Sequence, residues 1–386
     1  MSALIYLIAC EPSGDQLGAL LMKALREESN GQVEFSGVGG PLMAEAGLQS
    51  MFDVRDLALL GVFEVLPKAR TVFRRVKETL VDINAKQPDI LVTIDSWGFT
   101  GRIHQRLAKQ GSSIPRVRYV APQVWAWRPR RAKQLALWIN HLLALLPFEP
   151  PYFTQHGLPT TWVGHPVLET GFSIGDGQAF RKRHGISADR CVIGVLPGSR
   201  RSEVTRLLPV FKETVTRLAS RYPNLHVVMP SVDTVAHEVY IASGNWDVPV
   251  TVVMDAAQRR ESFAAFDSAL AASGTVSLEL AMAAVPHVIA YKVNAVSALA
   301  FRFLTKTRFV NLINILVGHE AVPERLQGKC RPETLADDIA LLLRDEMRRV
   351  AQRADFAAAL SNLSPGGQRP SRRAAQVILS LLKKPN

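Results

Sequence analysis

Gly198, Ser199 and Arg200 follow the apolar run Val192–Leu196 and open a helical pattern that ends near Arg221. A strand turning through Gly-Ser-Arg into a helix suits an anion. Glycine lets the backbone come close, and the hydroxyl, the first free N–H groups and the guanidinium can all point at phosphate oxygens. A capped helix with a solvated arginine would look the same in isolation. A second turn of this kind, Ser273-Gly274-Thr275, follows Asp267–Ala271 and leads into a helix expected over Thr275–Ala284. On neighbouring strands of a parallel sheet, the two turns would face one crevice at the carboxyl ends of the strands. Glu279, one helical turn past Thr275, is placed to accept hydrogen bonds from a ribose diol, although most single glutamates are surface residues. Together the turns predict a site for a sugar nucleotide or another diphosphate.

The first half carries groups suited to proton transfer. Asp95 closes the apolar run Ile90–Ile94, where a general base would project into a crevice; the alternative is a loop or capping aspartate. Glu11, Ser13 and Asp15 lie in a Glu-Pro-Ser-Gly-Asp loop at the end of the first expected strand. This loop is neither a P-loop nor a Gly-x-Gly-x-x-Gly turn. Ser13 or Asp15 could cap a helix, which leaves Glu11 as the acceptor-site candidate. Gln123, Trp125, Trp127 and Arg128 form an aromatic loop followed by Arg130, Arg131 and Lys133. Such a loop could stack on a sugar, seat a phosphate, or simply wedge onto the sheet. His165, near the expected domain seam, is a competing base or a packing residue.

These groups need a scaffold, and the apolar periodicity supplies one. Strands are expected at Leu4–Ala9, Val33–Gly37, Ile90–Ile94, Arg116–Val120, His141–Leu145 and Thr161–Val163. A second set follows at Val192–Leu196, His226–Met229, Val250–Val253, Asp267–Ala271 and His287–Ala290. Helical patterns such as Gln16–Glu28, Lys68–Ala85 and Ala132–Ile139 separate them. Short continuous apolar strands alternating with helices predict an α/β protein with two Rossmann-like, doubly wound domains facing a cleft and a helical carboxyl end. The expected divisions are 1–166, 167–364, and a last helix in 365–386 that could cross back to the first domain.

With 386 residues, the chain is too long for one ordinary core. Its 47% hydrophobic and 21% charged residues exclude a disordered chain. Forty-six Lys and Arg against 34 Asp and Glu give a net charge of +12, which favours anionic partners: nucleic acid, anionic lipid or phosphorylated metabolites. No RNA-binding signature accompanies the aromatic loop, so nucleic acid is not expected. Three cysteines without metal spacing fit a reducing cytoplasm, and no metal or cofactor is expected. No run reaches transmembrane length. The apolar stretch with Leu59, Leu60, Val62, Phe63, Val65 and Leu66 leads into Lys68, Arg70, Arg74, Arg75 and Lys77. That pattern fits either a core strand or a contact with a membrane surface.

The chain resembles the lipid-A-disaccharide synthase family of inverting GT-B glycosyltransferases. The segments that carry the likeness are Glu11–Asp15, Val124–Arg128, Val163–Pro166, Leu196–Arg200 with Glu203, and Ser273–Thr275 with Leu278-Glu279. Pro147–Glu149 and Asn311–Asn314 add to it. Departures are Cys10 in place of the family's glycine, Ala121-Pro122-Gln123 in place of Ser-Pro-Ser, and Ile313 in place of proline. The resemblance implies transfer of 2,3-diacylglucosamine from UDP to 2,3-diacylglucosamine 1-phosphate, with Asp95 as base. Arg200, Ser199 and the 273–275 turn would hold the diphosphate. No Asp-x-Asp motif is present, so metal-independent chemistry is expected. The resemblance further implies peripheral association with the inner face of the inner membrane, and self-association as a homodimer. Rival readings are a UDP-N-acetylglucosamine 2-epimerase, a peptidoglycan glycosyltransferase, or a non-catalytic binder of membranes or nucleic acid.

Overall fold

A computed structural model describes residues 2–58, 65–232, 234–293 and 308–382, with only the backbone of 58 and 65–69. Leu59, Leu60, Val62 and Phe63 lie outside the described residues, as do the side chains of Val65 and Leu66, whose backbone begins the Val65–Lys86 helix.

The chain divides into two compact units. One contains the residues up to Pro166 together with those from Leu363 onward; the other runs from Val167 to Asn362. The first unit holds β1 (Ala3–Ala9), β2 (Val33–Val38), β3 (Ile90–Ile94), β4 (Arg116–Tyr119), β5 (His141–Ala144) and β6 (Thr160–Trp162). All pair in parallel, in the order β2-β1-β3-β4-β5-β6. Alternate residues of β1 enter opposite layers: Ile5, Leu7 and Ala9 join one apolar cluster, and Tyr6, Ile8 and Cys10 join another. A strand buried on both faces reads as a continuous apolar run, which is why β1 was visible in the sequence. The last helix, Pro370–Leu382, buries Ala374, Ala375 and Ile378 in the first of these clusters and packs along the Pro12–Glu28 helix.

The second unit holds β7 (Cys191–Leu196), β8 (Leu225–Pro230), β9 (Val250–Val253), β10 (Ser268–Ala272), β11 (His287–Tyr291) and β12 (Glu324–Leu326). This sheet is also parallel throughout, ordered β12-β11-β10-β7-β8-β9. Its edge strand β12 has no counterpart among the strands expected from sequence.

Each order reverses direction once. From β1 the chain moves outward to β2, then returns to β3 on the other side. From β7 it moves to β8 and β9, then returns to β10. Loops that leave adjacent strands in opposite directions open a crevice at their carboxyl ends, so each unit has one switch point where a ligand can enter.

Candidate active site

Glu11 and Asp95 flank the first switch point, one after β1 and the other after β3. Ser96 Oγ donates to Glu11 Oε1 (2.9 Å), tying the two loops together. Asp95 and Ser96 both lie in the left-handed region, each with φ of 48°. Two such non-glycine residues in succession cost about 1–3 kcal/mol each, and persist only where their surroundings fix them. Thr100 Oγ1 donates toward the Asp95 and Ser96 carbonyls (2.7 and 3.0 Å), and Asp95 N–H donates to Tyr119 O (3.0 Å).

Arg118 completes this turn. It is 1% exposed, in the middle of β4, and its guanidinium lies 3.6 Å from Asp95 Oδ1. Nη1 donates to Thr100 Oγ1 (2.8 Å) and Nε to Val120 O (3.0 Å). Burial pushes the guanidinium down to about 10, partly opposed by Asp95. Arg118 is not among the residues that motif spacing singles out; the signal for it is a charged residue inside a buried strand.

The aromatic loop stands beside this turn. Arg118 and Arg131 both lie over the Trp97 ring, at 5.5 and 4.7 Å from its centroid. Trp127, 40% exposed, receives Arg128 at 4.1 Å and Arg131 at 5.8 Å. Trp125 is half-buried; its indole N–H donates to Glu149 Oε1 (3.4 Å) and its ring meets Phe148 edge-on. Glu149 Oε2 accepts from the Leu145 and Leu146 N–H groups (3.1 and 3.0 Å). Burial pushes the Glu149 carboxyl up to about 7 against these hydrogen bonds. Gln123 and Ser13 are exposed.

Asp15 lies in the first turn of the Pro12–Glu28 helix. It is buried and accepts from the N–H groups of Gly40, Leu42 and Met43 (2.9, 2.9 and 3.0 Å), at the start of the Pro41–Glu45 helix. Those three donors join the Pro12–Glu28 helix to the start of the Pro41–Glu45 helix. His165 is also buried, with its backbone N–H donating to Leu363 O (3.1 Å), and burial pushes its imidazole down to about 4.

In the second unit, Gly198–Arg200 and Ser273–Thr275 follow the adjacent strands β7 and β10, the pair at the switch point. Gly198 has φ of +113°, and a Cβ there would lie 2.5 Å from Glu203 Oε2. Only glycine fits. Glu203, buried in the first turn of the Arg201–Ala219 helix, accepts from Arg200 Nη1 (3.1 Å). Arg200 itself is 75% exposed. Thr234 Oγ1 donates to Ser199 O (3.0 Å), fixing the turn from the β8 side.

Glu279 lies on the Val276–Met282 helix and pairs with Arg259, whose guanidinium also sits over Phe172 and Phe263 (5.3 and 5.5 Å). Burial raises the Glu279 carboxyl and Arg259 opposes that rise. Beneath the same helix, Ser277 Oγ lies 2.7 Å from His287 Nε2 and accepts from Asn311 Nδ2 (2.7 Å). His287 Nδ1 faces Val285 O at 2.9 Å, so Nδ1 carries the proton and Nε2 accepts from Ser277. Glu324 of β12 accepts from the Val310 and Asn311 N–H groups and from Asn314 Nδ2 (3.0, 2.9 and 2.8 Å). This buried network anchors the Val276–Met282 helix, which follows the 273–275 turn, to the Asn311–Asn314 segment.

Two parallel sheets, each with polar loops where the carboxyl ends of its strands meet the switch point, define the GT-B fold. Solved structures share the fold across the full chain. The S. aureus MnaA–UDP structure matches at a TM-score of 0.67 and 13% identity, covering 100% of this chain and 99% of that one. The Neisseria meningitidis UDP-GlcNAc 2-epimerase bound to UDP-GlcNAc matches at 0.64 and 11%, covering 100% of both. Acinetobacter baumannii MurG matches at 0.59 and 12%, covering 98% and 99%. Such distant likeness shows the fold alone, and it spans the rival enzymes as readily as the favoured one.

Sequence decides among them. Residues 5–378 match the family described as lipid-A-disaccharide synthetase. The lipid-A-disaccharide synthase of Rhodospirillum centenum is 51% identical over 381 residues, 99% of this chain and 95% of that protein. That of Paramagnetospirillum magneticum is 51% identical over 383 residues, covering 99% and 98%. The chain belongs to the lipid-A-disaccharide synthase family. It is a glycosyltransferase of lipid A disaccharide synthesis, with a sugar nucleotide and a lipid as substrates.

Proposed function

We propose that the enzyme transfers 2,3-diacylglucosamine from its UDP derivative to O6 of 2,3-diacylglucosamine 1-phosphate, by a single inverting displacement. The observation that carries this reading is the placement of Asp95 at the first switch point, held by Arg118, with two anion-suited turns at the second. Asp95 takes the proton of the acceptor O6 hydroxyl as the new O6–C1 bond forms. The C1–O bond to the diphosphate breaks, and UDP leaves with the electron pair. Inversion by one step needs no glycosyl-enzyme.

The leaving group gathers charge at the second unit. Ser199, Arg200 and the N–H groups of the 198–200 and 273–275 turns suit diphosphate oxygens, and Glu279 suits the ribose diol. Glu11, linked through Ser96 to the Asp95 turn, suits an acceptor hydroxyl. His165 is the weaker base because it is buried and held beside Leu363. The acylated substrates and the positive net charge fit work at the inner face of the inner membrane, with residues 59–66 as a contact; a homodimer is part of the same reading. Among the described residues, no helix is long and apolar enough to cross a membrane.

The test is to incubate purified protein with the two substrates in detergent and follow UDP and disaccharide by mass spectrometry. Formation of the β-1,6 disaccharide 1-phosphate is expected. UDP binding without any disaccharide would refute the acceptor assignment.

A further inference from the structure

Arg128 and Arg131 are two cations in search of an anion. Both guanidiniums face the Trp127 ring, from 4.1 and 5.8 Å. Among the described residues, every ion pair of the amino-terminal unit involves other cations; neither of these two has a carboxylate partner. Arg128 is exposed and held at a φ of 53°, whereas Arg131 is partly buried against Trp97. Placing two like charges around one ring is unfavourable unless something negative joins them. The two also belong to a chain of cation–ring contacts: Arg118, Trp97, Arg131, Trp127, Arg128. One end of that chain is Arg118, which holds Asp95.

We infer that Arg131 and Arg128 bind the phosphomonoester of the acceptor and so select a phosphorylated acceptor over its dephosphorylated form. The inference rests on the proposed function and deepens it. A single sugar ring separates O6 from the 1-phosphate, and the arginine that holds Asp95 shares a single indole with Arg131. A sugar with O6 at Asp95 would then lie beside these rings and present its phosphate to the guanidinium fork. Guanidinium geometry matches a phosphate dianion with paired N–H donors, which a lysine at the same place would not reproduce. Burial, and after it the neighbouring Arg128, hold the Arg131 guanidinium below its ordinary value, and a bound dianion would relieve that repulsion.

The experiment compares kcat/KM for 2,3-diacylglucosamine 1-phosphate with that for 2,3-diacylglucosamine. It is run on the wild type, Arg131→Leu, Arg131→Lys and the exposed-site variant Arg128→Gln, each checked for an unchanged melting temperature. Losing a charge-assisted pair is expected to lower kcat/KM for the phosphorylated acceptor about 10- to 100-fold in Arg131→Leu, with smaller losses in the other two. The dephosphorylated acceptor should change less than about threefold, so the preference collapses. KM for the UDP-sugar should hold. In parallel, each protein is titrated with phosphatidylglycerol vesicles. Variants that lose vesicle binding while keeping the wild-type preference would overturn the inference and assign the cations to the bilayer surface. A preference that survives in all variants, with vesicle binding also intact, would overturn it as well. If the wild type turns over neither acceptor, the proposed function fails and takes the inference with it.

Discussion

The guanidinium of Arg118, almost wholly enclosed in β4, reaches across to Asp95 on the neighbouring strand end and stands 3.6 Å from its carboxylate. The same side chain bonds Val120 and Thr100, and Thr100 in turn bonds the carbonyls of Asp95 and Ser96, so one cation fixes the left-handed turn that aims the acid. Replacing it by methionine leaves those groups without their donor. Arg118→Met is expected to lower kcat about 10- to 100-fold and stability by about 1–3 kcal/mol, with UDP affinity nearly unchanged. Steady-state kinetics and thermal melts check this. Wild-type kcat in a folded variant would remove Arg118 from any positioning role.

Gly198 makes a comparably sharp test in the other unit. An added methyl would meet Glu203 Oε2 at 2.5 Å on a backbone of φ +113°. Gly198→Ala is therefore expected to shift the turn, costing about 1–3 kcal/mol and raising KM for the UDP-sugar. UDP titration by calorimetry would reveal it. An unchanged dissociation constant would mean that the turn does not touch the nucleotide.

Arg259 should govern how UDP binding depends on pH. Burial already raises the Glu279 carboxyl, and Arg259 is the charge that holds it down. Without that cation the carboxyl gains its proton at higher pH, and a protonated acid is a poorer acceptor for ribose hydroxyls. Arg259→Met is expected to bind UDP near-normally at pH 8 and several-fold more weakly at pH 6. The wild type should show a smaller drop. Parallel pH profiles for the two proteins would contradict this.

Glu149 should report through Trp125. Its carboxyl, pushed up to about 7, changes charge within the working range and accepts the indole N–H. The folded value lies above the ordinary 4.5, so the contribution of this group to stability is present at low pH and lost as pH rises through about 7. Tryptophan fluorescence is expected to titrate with a midpoint near 7, and Glu149→Gln should abolish the step. A flat wild-type profile would rule the coupling out.

Much of this architecture was legible in the chain, for identifiable reasons. Strands buried on both faces leave unbroken apolar runs, so β1, β3, β7 and β10 are plain, and the polar residues just after them mark the switch points. The strand β12 escaped because Glu324-Arg325-Leu326 is a three-residue edge with two charges. The cap that Asp15 gives a second helix is not legible in the sequence, because its donors Gly40, Leu42 and Met43 are 25 to 28 residues away. Arg118 and Arg259 were passed over for the same kind of reason: each acts on a carboxylate that no local spacing connects to it.

The most direct test of the account is Asp95→Ala, assayed for disaccharide formation and for UDP affinity on the same preparation. The account predicts that turnover falls by at least about 100-fold while the UDP dissociation constant stays within about twofold. Turnover close to wild type would contradict it, and would return the search for a base to Glu11 and His165.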